Sequence, residues 1–187
     1  MEFIGQLWLP ILLSAVLVFI VSAIVHMVLP YHKTEWNAAP NQDALQAALK
    51  GCPPGMYGFP MAADPKDRMS PEWMKKWSEG PSGWLTVMPV GGWSMGKSLT
   101  LSFILNVVIS FFTAYVAGHV LTMGAGAPPY LAVFRVTGAI GFMTYGLAAA
   151  YESIWYGRPW KSTAFTAFDA LLFGLVMAGA FGWLWPR

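Results

Sequence analysis

The sequence predicts an all-α integral membrane protein: a four-transmembrane-helix bundle with one long, partly helical extramembrane loop. Three observations carry that reading. Hydrophobic residues make up 56% of the 187 and charged residues only 11%, well outside the range of an ordinary soluble domain. Four separate apolar segments each reach the roughly 20 residues needed to cross about 30 Å of hydrocarbon. The only long polar stretch lies between the first and second of them. The chain is expected to form a single membrane domain over residues 1–187.

The first span, Leu7 to Leu29, is preceded by MEFIGQ, which has no Lys or Arg. Its apolar run is too long for a secretory leader and has no small-residue cleavage site after it, so a retained helix is expected. The loop, Pro30 to Lys97, is rich in Pro, Gly and Trp. Within it, NQDALQAALKG offers Asn41 as N-cap and Gly51 as a stop. SPEWMKKWSEG offers Ser70 as N-cap, Pro71 at the first helical position and Gly80 past the end, so two short helices are expected. In the second, Trp73 and Trp77 are four apart and share a face.

The stretch GGWSMGKS, Gly91 to Ser98, matches the phosphate-loop pattern. A working phosphate loop needs a buried strand before it and an α/β domain around it. Here Pro89 interrupts the preceding LTVMPV, and a lipid-compatible helix follows. The match is read as coincidental, with no nucleotide expected. A net charge of +2 with dispersed basic residues argues against a nucleic-acid surface. Cys52 is the only cysteine, which excludes an internal disulfide and paired-cysteine metal sites.

The remaining spans are Ser98 to Leu121, Leu131 to Ile154 and Ser162 to Trp185. Short turns rich in Gly and Pro join them, so they should be antiparallel neighbours. Lys33, Lys97, Arg158 and Lys161 fall on the loop side, and only Arg135 and Arg187 on the other. The positive-inside rule then sets the termini outside and loop 30–97 in the cytoplasm. Trp8, Trp183 and Trp185 at one boundary, with Trp93, Trp155 and Trp160 at the other, form aromatic belts. Bound lipid, quinone or pigment could contact such belts, but no cofactor is predicted.

In lipid, helices associate through close packing and interhelical hydrogen bonds, so small residues at every fourth position mark contact faces. The last span carries Ser162, Thr166, Ala170, Gly174, Ala178 and Gly182. The second carries Ser102, Asn106, Ser110, Ala114 and Gly118. The third offers Thr137 and Gly141.

An ionisable side chain at depth is a functional hypothesis by default. Asp169 lies seven residues into the last span, roughly 10 Å below the loop-side boundary at 1.5 Å per residue. Asn106, Tyr145 and Ser22 fall at similar depth, so a polar cluster of Asp169 with one or more of these is expected. A structural tie is the preferred reading and an ion site the alternative, because transporters usually array several acidic or histidine residues. Arg135 sits toward the opposite boundary, where a lipid phosphate or a partner's carboxylate would be its contact. Glu152 and Arg158 flank the last short loop and are expected to pair there. His26 and His119 stand at opposite ends of their helices and cannot share a haem. His32 is only a weak candidate to join His26 at a metal, and no metal site is predicted.

The segments HMVLPYHKTEWNAAPNQDAL and YESIWYGRPWKSTAFTAFDALLFGLVMAGAFGWLWP resemble an uncharacterised family of small bacterial inner-membrane proteins with four predicted spans. The resemblance implies a bacterial inner-membrane location, and no activity. No catalytic constellation is evident, so an enzyme acting on lipid or quinone is not expected. The leading functional expectation is a non-catalytic accessory subunit packed against larger membrane subunits, as in a respiratory or photosynthetic assembly. The alternative is a small proton- or ion-coupled carrier centred on Asp169.

Overall fold

A computed structural model describes residues 2–187, with side chains described from residue 4 onward. Four helices are long and apolar enough to cross a membrane: Ile4–Met27, Met95–Val120, Tyr130–Tyr156 and Trp160–Leu184. They agree closely with the expected spans, and the protein is a multi-pass helical membrane protein by that measure. The helical elements are α1 (Glu2–Met27), α2 (Gln42–Leu49), α3 (Pro71–Glu79), α4 (Met95–Val120), α5 (Tyr130–Phe142), α6 (Ala149–Tyr156) and α7 (Trp160–Leu184). A π-helical turn, Met143–Leu147, joins α5 to α6 within the third span.

The chain divides into two compact units, one formed by Met1–Trp36 with Met95–Arg187 and the other by Asn37–Ser94. In the first, α7 is the central helix and packs on α5 and α1, while α4 lies against α1 and α5. Small residues explain how closely α7 approaches α5. A Cβ added at Gly174 would lie 2.9 Å from the Gly138 carbonyl oxygen and 3.0 Å from the Phe142 nitrogen. Ala178 faces Gly138, Gly141 faces Gly174, and Ala170 faces Gly146. The numbers rise on one helix as they fall on the other, so the pair is antiparallel. Without a hydrophobic drive between helices in lipid, such backbone proximity is what supplies dispersion and holds the pair.

The expected stripe on α7 is therefore a contact face, with Ala170, Gly174, Ala178 and Gly182 buried and Thr166 partly so. On α4 the face is shorter. Asn106, Ser110 and Ala114 are buried and Gly118 is partly covered, but Ser102 is exposed, as is the whole start of α4, Met95–Ser102. Ser110 meets Ser14 of α1 across a 3.0 Å hydrogen bond in the interior. Five of the six belt tryptophans are exposed. Trp185 is not: its indole is buried and donates to the Thr122 carbonyl at 2.9 Å, drawing the end of the chain onto the α4–α5 turn.

The second unit is built from the loop. Asn41 caps α2 by accepting from the Ala44 N–H, and Ser70 caps α3 by accepting from the Trp73 N–H. Pro71 opens α3 and Gly80 ends it, both as expected. Trp73 and Trp77 stack with centroids 5.3 Å apart. No sheet is expected in this loop from sequence, yet β1 (Gly55–Phe59) and β2 (Gly83–Val87) pair antiparallel, with Gly58 opposite Trp84. The Trp84 ring lies over Gly58, where any side chain would collide with it. Ahead of the phosphate-loop match β2 ends before Pro89; within it Gly91 turns the chain with a positive φ and α4 begins at Met95.

Candidate functional site

The site is made where the chain leaves α1. His26 occupies the last turn of that helix, and after Pro30 the segment Tyr31–Glu35 winds into a short 3₁₀ helix. A 3₁₀ helix repeats every three residues, so His32 and Glu35 fall on one side. This turn lies against α7, with the Tyr31 ring packed edge-on to Phe165 and Phe168.

Asp169 of α7 is buried under this turn. The Tyr31 hydroxyl donates to its Oδ1, and His32 Nε2 lies 2.8 Å from its Oδ2. The other nitrogen of His32, Nδ1, bonds Glu35 Oε2. Glu35 Oε1 faces the Arg158 guanidinium at 3.4 Å, and the same guanidinium nitrogen reaches Thr166 Oγ1 at 3.2 Å. The side chains of Asp169 and Glu35 are only 6% and 10% exposed. The His26 ring stacks on His32 with centroids 4.4 Å apart and planes 9° from parallel. His26 Nδ1 lies 2.9 Å from the Ser22 carbonyl. A carbonyl only accepts, so this nitrogen carries the proton and Nε2 presents its lone pair.

The electrostatics follow from these contacts. Burial pushes the Glu35 carboxyl up, but hydrogen bonds with His32 and Ser162, together with the charges of His32 and Arg158, outweigh it and hold the group below its ordinary value. Burial raises the Tyr31 phenol, and the hydrogen bond and negative charge of Asp169 raise it further, so it stays a donor. Lys161 places its ammonium over the Phe165 ring instead of on a carboxylate. Two carboxylates thus face one permanent cation, Arg158. An unpaired buried charge is costly, so the excess of carboxylate is met by a proton within the cluster or by a further cation.

No protein-family model, curated protein or solved structure matches this chain. The reading of the site therefore rests on its geometry.

The residues expected to surround Asp169 are distributed differently. Asn106 and Tyr145 do come together, the Tyr145 hydroxyl donating to Asn106 Oδ1 at 3.0 Å, but they bond each other and leave Asp169 to Tyr31 and His32. Ser22 contributes its backbone carbonyl, to His26. The error came from matching depth along straight helices: the turn after α1 folds back over α7 and supplies closer donors. The Glu152–Arg158 pairing is likewise replaced. The Arg158 backbone N–H closes the end of α6 on the Glu152 carbonyl, aided by Gly157 at φ +68, while its side chain turns to Glu35. Arg135 is exposed and borders an open groove of about 240 Å³ lined mainly by Phe134, Gly138, Leu171 and Leu175. Tyr31 and Glu35 were missed altogether. The signal for them was the spacing of YHKTE directly after Pro30, which sets His32 and Glu35 three apart.

Proposed function

We propose that this protein is a small ion-coupled carrier centred on Asp169, in the bacterial inner membrane, with both termini outside and the 30–97 loop in the cytoplasm. One observation carries the proposal: the buried carboxylates of Asp169 and Glu35 share a single permanent cation, Arg158, through the bridging imidazole of His32. A lone acid in a span argues for a structural tie. An array of two acids, two imidazoles and a phenol, open on one side through the exposed His26, favours a group that takes up and releases a cation.

The test is flux into proteoliposomes under imposed gradients of monovalent and divalent cations, read with ion-selective dyes. Flux that Asp169→Asn abolishes supports the carrier. Equal leak with wild type, Asp169→Asn and empty vesicles ends it. Labelling of Cys52 by an impermeant maleimide only after the cytoplasmic face is opened would support the orientation.

An accessory-subunit role is the second reading, favoured by the exposed Arg135 beside an apolar groove on α5 and α7, where a partner helix bearing a carboxylate would fit. Migration of the gently solubilised protein in a larger complex, lost on Arg135→Glu, would support it.

A further inference from the structure

We propose that the cation is a first-row transition-metal dication of the zinc class, bound by His26 Nε2, His32 Nε2 and a carboxylate oxygen of Asp169. This deepens, and rests on, the ion-handling reading of the same site. One ligand atom from each residue, a ring nitrogen of either histidine and a carboxylate oxygen of Asp169, lies within 4.8 Å of the other two. A tetrahedral ion with bonds near 2.0–2.2 Å needs its ligands roughly 3.3 Å apart. His32 Nε2 and Asp169 Oδ2, now 2.8 Å apart, would open slightly, and the His26 ring would tilt out of its stack on His32 so that both ring planes point at the ion.

Three features distinguish this set from a chance cluster. The first is tautomer. The Ser22 carbonyl fixes the proton of His26 on Nδ1, which aims the Nε2 lone pair outward before any ion arrives. The second is the outer shell. His32 Nδ1 bonds the Glu35 carboxylate, the carboxylate–histidine arrangement that orients a ligating ring and raises its basicity. Arg158 holds that carboxylate in turn. The third is charge. A dication displaces the hydrogen-bonding proton between His32 and Asp169, which leaves to solvent, and its two charges are matched by the carboxylates of Asp169 and Glu35. Two imidazoles and one carboxylate are a borderline donor set, suited to zinc, cobalt or iron over calcium or magnesium. With three protein ligands, one position stays open for water or exchange, unlike a closed structural site.

The test uses the full chain in detergent, stripped by chelator, carrying Cys52→Ser and a purification tag without histidine. Titration with Zn²⁺ by calorimetry, and with Co²⁺ by its visible ligand-field band, should give one ion per chain. His26→Ala and His32→Ala should each weaken binding by at least ten-fold and alter the Co²⁺ band, and Glu35→Gln should weaken it 10–100-fold. His26 is exposed, so His26→Ala retains the fold, which thermal unfolding verifies. No binding by the wild type, or binding that His26→Ala leaves unchanged, overturns the metal site. Zn²⁺ binding that depends on His26, together with the absence of any flux, would sustain the site and refute the carrier. Flux of another cation that needs Asp169 but not His26, with no Zn²⁺ binding, would refute the metal site and sustain the carrier.

Discussion

The imidazoles of His26 and His32, one ending a membrane-crossing helix and the other in the turn beyond it, lie face to face 4.4 Å apart. This stack fixes the direction in which the chain leaves α1, and with it where His32 meets α7. A phenyl ring would preserve the stack and remove both nitrogens. His26→Phe should therefore unfold within about 0.5 kcal/mol of wild type. His26→Ala should lose about 0.5–1.5 kcal/mol, the worth of an aromatic pair. Thermal unfolding in detergent separates the two. Equal loss in both variants would show that a nitrogen, and not the stack, holds the turn.

Tyr31→Phe deletes the hydroxyl that donates to Asp169 and keeps the ring between Phe165 and Phe168. A hydrogen bond to a charged group contributes about 1.5–3 kcal/mol, and the variant should lose stability in that range. Denaturant unfolding checks this. An unchanged midpoint would mean that the Asp169 carboxylate is satisfied without the phenol.

The approach of α7 to α5 makes a sharp prediction about two glycines five residues apart on α7. At Gly174 an added methyl meets backbone atoms of the facing helix at 2.9 and 3.0 Å, and at Gly179 it meets nothing within 4 Å. Backbone cannot step aside as a flexible side chain can, so Gly174→Ala should cost about 1–3 kcal/mol. Gly179→Ala should stay within about 0.5 kcal/mol. Comparable losses from the two would remove the close contact as the basis of the pairing.

In the loop-built unit, Lys76 sits 2.9 Å from Glu72, one helical turn away. Its hydrogen bond and charge hold the Glu72 carboxyl below its ordinary 4.5. A depressed carboxyl contributes stability that is present above the unfolded value and is lost as pH falls through the lower folded value. The window for this pair is therefore below about pH 4.5. Both groups are well exposed, so the effect on stability is slight. Carbon-detected NMR titration should find Glu72 below a free glutamate, and Lys76→Met should return it to the ordinary range.

The spans and the α7 stripe were legible because lipid imposes simple requirements: length, apolar composition, and small residues where backbones touch. Asn41, Ser70, Pro71 and Gly80 were legible because capping is local chemistry. The site was not, for a geometric reason. Depth along a helix axis paired Asp169 with Asn106, Tyr145 and Ser22, whereas its partners come from a turn that folds back across α7. Residues 137 and 138 positions away in the chain, His32 and Tyr31, reach it first. The hairpin was hidden for a related cause: its two strands are separated by a helix, and Gly58 pairs with Trp84 only through that long excursion.

The distance along the chain between His32 and Asp169 also has a temporal meaning. At about 5–20 residues per second, the ribosome delivers the acid roughly 7 to 27 seconds after the imidazole it will bind. Through that interval His32 and Glu35 have each other, and later Arg158, but not yet the Asp169 carboxylate on α7. Completion of this cluster therefore waits for α7, and a nascent chain stalled before that crossing leaves His32 without the carboxylate it meets in the folded protein.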